Sequence, residues 1–306
     1  MELHILNPGP LTTVQDRGRF GYMASGIGPS GAMDQDAYAA ANALVGNRNG
    51  EAVLEFTLLG AAIRFEGEGV IALTGADMGA ALDGVPLETY CSHSVKSGQT
   101  LTMSMAKTGC RGYLAVAGGV DVPMVMESRS TNLKCALGGL EGRALKRGDI
   151  LRTGNAAAGS AGKRRKKPEF AQSVTIRVIP GPQDDLFTRQ GLATLWGNPY
   201  AVSTSSDRMG LRLDGPAVET IAGSDIVSDG IAFGSIQVTS AGQPIILMAD
   251  RQTTGGYAKV GTVCSLDLPR LAQLRPGGEI RMQPITVQEA QRLLRKRRWM
   301  ERLGLI

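Results

Sequence analysis

The chain has 306 residues, 42% of them hydrophobic and 20% charged, which excludes a mainly disordered protein and allows a sizeable core without metal or disulfide staples. Glycine, at 41 residues, is enriched to about twice its ordinary share without a Gly-X-Y period; collagen is excluded and a turn-rich, mainly β fold is favoured. The net charge of +5 comes from two runs, Lys163–Lys167 and the Arg292, Arg295, Lys296, Arg297, Arg298 cluster; without these ten cations 23 basic residues face 28 acidic ones, so no nucleic-acid-binding face is expected on the folded body.

In chain order, the N-terminus Met1-Glu2-Leu3-His4 lacks the apolar stretch of a signal peptide. No 18-residue apolar run follows, so no membrane partner and a cytoplasmic location are expected. Strands are predicted at Leu3–Leu6, Ala61–Phe65, Val70–Thr74, Leu101–Ala106 and Gly112–Ala117. A helix is predicted over Asp34–Val45, with an Asp at its start and Gly46 as its stop. The segment 154–172, small and flexible and then basic, reads as a linker. Beyond it, strands are predicted at Val174–Ile179, Ala201–Ser205, Ile245–Ala249 and Glu279–Met282, with a short helix at Asp184–Gln190. Thr286-Val287-Gln288-Glu289 is a capping-box pattern opening a last helix, with Val287, Ala290, Leu294 and Leu303 as a narrow apolar stripe. The domains are therefore expected at 1–153, 173–285 and a basic C-terminal helix at 286–306, with the flexible basic linker at 154–172.

Cys91, Cys110, Cys135 and Cys264 form no C-x-x-C pair and there are only two histidines, so no metal site is expected and the thiols read as buried and structural. P-loop, nucleophile-elbow and kinase motifs are missing. What remains is four polar, Gly-rich strings: Gln15–Tyr22 continuing to Ser30–Asp34, Glu127–Asn132, Ser205–Arg212, and Ser235–Gln237 with Asp250–Tyr257. Each joins an Arg to hydroxyls or an amide, and a planar guanidinium binds a carboxylate or phosphate in bidentate fashion. Asp16-Arg17 also reads as a turn with a surface ion pair, and Ser128–Asn132 as a polar loop. Asp250–Tyr257 leaves an apolar strand and carries Gly255-Gly256, which lets a ligand approach closely; Arg251 is expected in a cleft.

Taken together, Val14–Tyr22, Ser30–Asp34, Ala41–Asn47, Ala115–Pro123, Ser128–Thr131, Ser206–Gly210 and Asp250–Tyr257 resemble the biotin-dependent carboxyltransferase subunit-2 family, also called the allophanate hydrolase subunit 2 family. The resemblance spans roughly residues 5–285. It implies two tandem cyclophilin-like β-barrel domains with a few short helices. It also implies a subunit-1 type partner, like the B chain of bacterial 5-oxoprolinase, and a third protein like its A chain. A free-standing chain resembles the 5-oxoprolinase members of the family more than the fused urea carboxylase.

The activity this implies is opening of the 5-oxo-L-proline lactam to L-glutamate with ATP, accompanied by Mg, as part of a multi-subunit hydrolase. By chemical type, Arg208, Arg251, Thr253 and Thr254 suit phosphoryl transfer, Arg129 with Ser130 and Thr131 suits the substrate carboxylate, and Asp207 or Asp250 would orient an Arg or move a proton. Gln237, Gln252 and Tyr257 complete the candidate binding set. The alternative is a carboxyltransferase receiving its carboxyl from biotin, with Gln237 or Gln252 on the ureido ring. A third reading is a non-catalytic module that sequesters its partner.

Overall fold

The computed structural model describes residues 1–48, 50–155 and 161–303. The chain forms two compact units, the first Met1–Ala171 with Ala272–Arg275, the second Gln172–Leu271 with the chain from Pro276 onward. The mainly β expectation holds in both.

The first unit packs two antiparallel sheets. One runs in the order Val120–Asp121, Ile150–Thr153, Glu2–Asn7, Ala62–Glu66, Thr100–Thr102, Ala81–Leu82, Val85–Pro86; the other Thr12–Gln15, Val53–Thr57, Thr108–Val116, Gly69–Asp77, Ser92–Val95. Strand periodicity decides which side chains meet: Leu3 and Ile5 point inward with Ile63 and Phe65, against Leu54, Phe56, Ile71 and Leu114. Burying each such side chain contributes about 1.5–3 kcal/mol. The helix Gln35–Val45 forms as its sequence predicts. Asp34 caps it by accepting the Asp36 and Ala37 N–H groups, and Gly46 closes it at φ 77°, a left-handed conformation that glycine adopts without a Cβ penalty. Its buried face, Ala37, Tyr38, Ala41 and Leu44, packs with Val53, Val70, Ala72 and Tyr113.

The expected linker is not uniform. Residues 156–160 lie outside the described residues. Its basic run pairs with a neighbouring segment of the first unit: Ser92 N–H donates to Lys163 O at 2.9 Å, Gly162 N–H to Ser92 O at 2.8 Å and Arg165 N–H to Tyr90 O at 2.9 Å. Arg164 meets Glu88 and Lys167 meets Asp77. Backbone groups at that edge are satisfied by this segment, which is why a polar, apparently featureless sequence is held in place.

The second unit is a closed barrel in the order Ser173–Pro180, Lys259–Val263, Ser235–Val238, Pro244–Leu247, Gly210–Asp214, Tyr200–Val202, Glu279–Pro284. A parallel pairing of its first and last members, Ser173↔Glu279 through Val178↔Pro284, closes the ring. Alternate residues fill the core: Val174, Ile176, Val178, Leu211, Leu213, Ile236, Val238, Ile246, Val260 and Ile280 are all buried. A separate two-stranded antiparallel pair, hairpin-like in its ladder but not joined by a turn, sets Asp225–Gly230 against Thr254–Tyr257; the barrel strands Ser235–Val238 and Pro244–Leu247 lie between them in the chain.

Other local expectations change. The predicted Asp184–Gln190 helix is a single 3-10 turn at Asp184–Leu186; the true helix is Arg189–Gly197, because the Thr188 hydroxyl accepts the Gly191 N–H and starts it there. Leu101–Ala106 is a strand only over Thr100–Thr102. The capping box at Thr286 and Glu289 opens the helix Val287–Arg302 as expected, yet only Ala290 of the predicted stripe is buried, while Val287 and Leu303 are exposed. Cys91, Cys110 and Cys264 are buried, but Cys135 is exposed. Among the described residues no helix is long and apolar enough to cross a membrane.

Candidate functional site

The polar strings of the sequence separate into a cluster in each unit. In the first, Asp16 is the organising carboxylate. It accepts the Ser128 hydroxyl at 2.8 Å, the Arg129 N–H at 2.6 Å, the Gly18 N–H at 2.8 Å and the Ser130 hydroxyl. The loops carrying these residues are stitched further by Arg19, which is fully buried and donates Nε to Val125 O and Nη2 to Ser130 O. Ser130 and Thr131 are buried as well, and the Thr131 hydroxyl donates to Val14 O. Both hydroxyls are thus engaged inside the fold. The Arg129 side chain donates Nε to Val122 O and lies 3.5 Å from Asp121, still partly exposed. Of the three substrate-binding candidates in this string, Arg129 alone presents a charged group toward solvent.

The second unit gathers the other candidates. Pro244–Leu247 ends at Met248, and the chain turns so that Asp250 and Arg251 are both buried. Asp250 receives a two-pronged contact from Arg208, Nε to Oδ2 at 2.9 Å and Nη2 to Oδ1 at 3.1 Å. A carboxylate held that way by a buried guanidinium fixes the two loops against each other. Asp207 sits at a turn: its Oδ1 accepts the Met209 and Gly210 N–H groups at 2.7 and 3.1 Å.

Arg251 is buried, at 7% exposure, where a residue exposed in a cleft was expected. Its Nε donates to Ile231 O and its Nη1 to Met248 O, both at 3.3 Å, and the guanidinium lies 5.4 Å from the centroid of the Phe233 ring. Among the described residues no carboxylate stands within ion-pair distance of it. Desolvation accordingly pulls its pKa down to about 10. Gln237 donates its amide to Tyr257 O at 3.0 Å, and a Cβ on Gly255 would meet that amide at 2.8 Å, so a larger residue there would require the Gln237 side chain to shift. Gln252 and Thr254 are exposed, while Thr253 and Tyr257 are half-buried.

Sequence reasoning passed over Lys259. Its side chain is 3% exposed, and its ammonium contacts Asp229 Oδ2 at 2.5 Å and Gly230 O at 3.1 Å. The available signal was a lone Lys opening a strand without other charges, Lys259–Val263, one residue after Asp250–Tyr257. Arg251 and Lys259 therefore hold two consecutive carbonyls, Ile231 and Gly230. Such a donor set fits an anion. No group of three His, Cys, Asp or Glu side chains among the described residues is arranged to hold a metal ion.

Comparison with known proteins identifies the family. Residues 25–284 match the model of the carboxyltransferase domain, subdomains A and B. The chain is 42% identical over 288 residues to the 5-oxoprolinase C subunit of Escherichia coli K12, covering 94% of this chain and 93% of that one. It is 40% identical to the 5-oxoprolinase C subunit of Haemophilus influenzae, covering 96% and 94%. The crystal structure of the Kluyveromyces lactis urea carboxylase superimposes with a TM-score of 0.90 at 30% identity, covering 98% of this chain and 29% of that much longer one.

Proposed function

The chain belongs to the carboxyltransferase domain family, subdomains A and B, and from that premise we propose that it is the C-type component of an ATP-dependent 5-oxoprolinase. The observation that carries the reading is near-full-length identity of 42% and 40% to two 5-oxoprolinase C subunits. The reaction is hydrolysis of the lactam of 5-oxo-L-proline to L-glutamate, in the cytoplasm, in a complex with a subunit-1 type chain and a third chain.

A lactam resists water because its nitrogen lone pair is delocalised into the carbonyl. ATP, carrying Mg on its phosphates, would activate the amide oxygen by phosphorylation. The residues of this chain suit the charge that such chemistry develops. Arg251, buried without a carboxylate, stabilises negative charge strongly because little water screens it. Asp250 holds Arg208, and with it the loop that presents Arg251. Arg129, half-buried in the first unit, is a separate cation of the right chemical type to hold a carboxylate. Gln237, Gln252, Thr253, Thr254 and Tyr257 line the approach on the second.

The test is reconstitution. Purified chain, subunit-1 type partner and third chain together should release glutamate from 5-oxo-L-proline with ATP consumption, and the chain alone should release little. A reconstituted complex without turnover would remove this reading. The second reading, a biotin-dependent carboxyltransferase, is favoured by the superposition on urea carboxylase. Carboxyl transfer from carboxybiotin in place of ATP-coupled ring opening would select it.

A further inference from the structure

The strand pair Asp225–Gly230/Thr254–Tyr257 carries a carboxylate, Asp229, whose partner is a buried cation. A lysine at 3% exposure suffers a large desolvation penalty unless paired, and Lys259 meets that need with an aspartate that is itself 55% exposed. The pairing is lopsided: one member is fixed in a barrel strand, the other stands at the solvent side of a small strand pair with a break in its ladder between Asp225 and Asp229. The backbone beneath is shared, since Lys259 grips Gly230 O and Arg251 grips Ile231 O. Of the buried cations here, Arg208 is answered by Asp250 and Lys259 by Asp229. Arg251 is left without a countercharge among the described residues.

We propose that Lys259 and Arg251 form one anion site in the second unit, and that Asp229 is its resident counter-ion, displaced when a carboxylate or phosphoryl oxygen binds. The ligand takes over the Lys259 ammonium, supplies the negative charge that Arg251 lacks, and releases Asp229 to water, where an exposed carboxylate is well solvated. Releasing Asp229 removes one of the contacts that hold the strand end at Gly230, so binding loosens that end. Asp229 Oδ1 also accepts the Gly230 N–H at 2.7 Å, and Gln183, whose amide lies 3.4 Å from Asp229, tethers it to another segment. The exchange deepens the reading of this unit as part of the active site and rests on it only for the identity of the natural anion.

The experiment uses the full-length chain and inorganic phosphate as the probe, with affinity read by calorimetry and strand mobility by amide hydrogen exchange. Asp229→Asn keeps an oxygen acceptor for Lys259 and removes the competing charge. It should bind phosphate about tenfold more tightly than wild type. Lys259→Met should abolish binding in both backgrounds, with folding verified by thermal melts. Phosphate should raise exchange at residues 225–230 in wild type, and by less in Asp229→Asn, where Lys259 is held only by a neutral acceptor. A folded Asp229→Asn chain that binds phosphate no better than wild type overturns the exchange, as does failure of both to bind millimolar phosphate. Oxoproline turnover of the reconstituted complex is scored separately. Tightened phosphate binding without turnover would remove the oxoprolinase reading and leave the counter-ion exchange standing; turnover without tightening would do the reverse.

Discussion

In the first unit the buried carboxylates of Asp16, Asp34 and Glu55 are met by donors from within the fold; in the second, the buried cations Arg251 and Lys259 find mostly carbonyl oxygens. Asp16 collects hydroxyls and amides of three residues of the 128–130 loop. Asp34 accepts two helix N–H groups and the Gln273 amide, and Glu55 accepts the Tyr113 hydroxyl and the Met33 N–H, each at 2.9 Å. Charge saturated in this way fixes loops and sheet faces and has little left to offer a ligand. Charge left short of a counter-ion keeps its field, and that is what binding and transition-state stabilisation draw on. Burial alone therefore does not mark a functional residue; burial with unmet electrostatic demand does.

The strongest challenge to this contrast is Asp16→Ala. Removing one carboxylate strands four donors, and the loss should be about 3–5 kcal/mol, with a melting temperature lower by roughly 10 °C. A variant that melts within a degree or two of wild type would show that the 128–130 loop is held by something else. Arg251→Ala should act on the other axis. Stability falls modestly, through lost contact with Phe233, while turnover of the reconstituted complex drops roughly 30- to 1,000-fold, or about 2–4 kcal/mol of transition-state stabilisation. Arg251→Lys keeps the charge without the planar fork and should fall between. Turnover that tracks only the fraction of folded protein would make Arg251 structural, and the two units would then be alike.

A pH series sharpens the comparison. Burial raises the Asp34 pKa from 3.8 to about 6. The folded chain then holds a proton that the unfolded chain has already released between those values, so the Asp34 contribution weakens as pH rises through that window and is lowest above it. Urea unfolding at pH 5 and pH 7 should differ by roughly 1 kcal/mol more in wild type than in Asp34→Asn. An equal difference in the two proteins would mean that Asp34 stays ionised throughout. The smallest effect is expected at the basic run. Arg164 and Glu88 are both largely exposed, so Arg164→Ala should change stability by less than about 1 kcal/mol, because that segment is held by its backbone. A larger loss in a chemical denaturation curve would assign the attachment to charge.

Much of the architecture was legible in the sequence because local rules and packing agreed. The Asp34 cap, the Gly46 stop and the Thr286 capping box each appear where the residues place them. Glu2–Asn7 and Ser173–Pro180 alternate cleanly because one face is buried. Strand Val53–Thr57 was missed because Glu55 interrupts its apolar pattern; the distant Tyr113, Met33 and Arg111 make that carboxylate tolerable inside. The strand Asp225–Gly230 was missed because every residue of it is exposed or half-buried and polar residues dominate. At the site, the Arg208 and Asp250–Tyr257 strings were readable as donor-rich loops beside glycine. Their division of labour was not, since it depends on Asp250 being consumed by Arg208 and on Asp207 serving a turn. Lys259 escaped notice for the same reason: a lone charge in a strand acquires meaning only from the residue that answers it.

The peptide Ala272–Arg275 belongs to the first unit although about a hundred residues separate it from the rest of that unit. Gln273 accepts the Cys110 and Arg111 N–H groups and donates to Asp34 and to Arg111 O; Arg111 in turn donates to Ala272 O at 2.8 Å. A ribosome adding about 5–20 residues per second needs roughly 5–20 s to go from residue 171 to residue 273. Throughout that interval the nascent first unit carries an open seam at Cys110–Arg111 and an unanswered Asp34 oxygen. Its final consolidation is thus tied to translation of the second half, and a messenger truncated before codon 273 encodes a first unit without the Gln273 bonds to Asp34, Cys110 and Arg111.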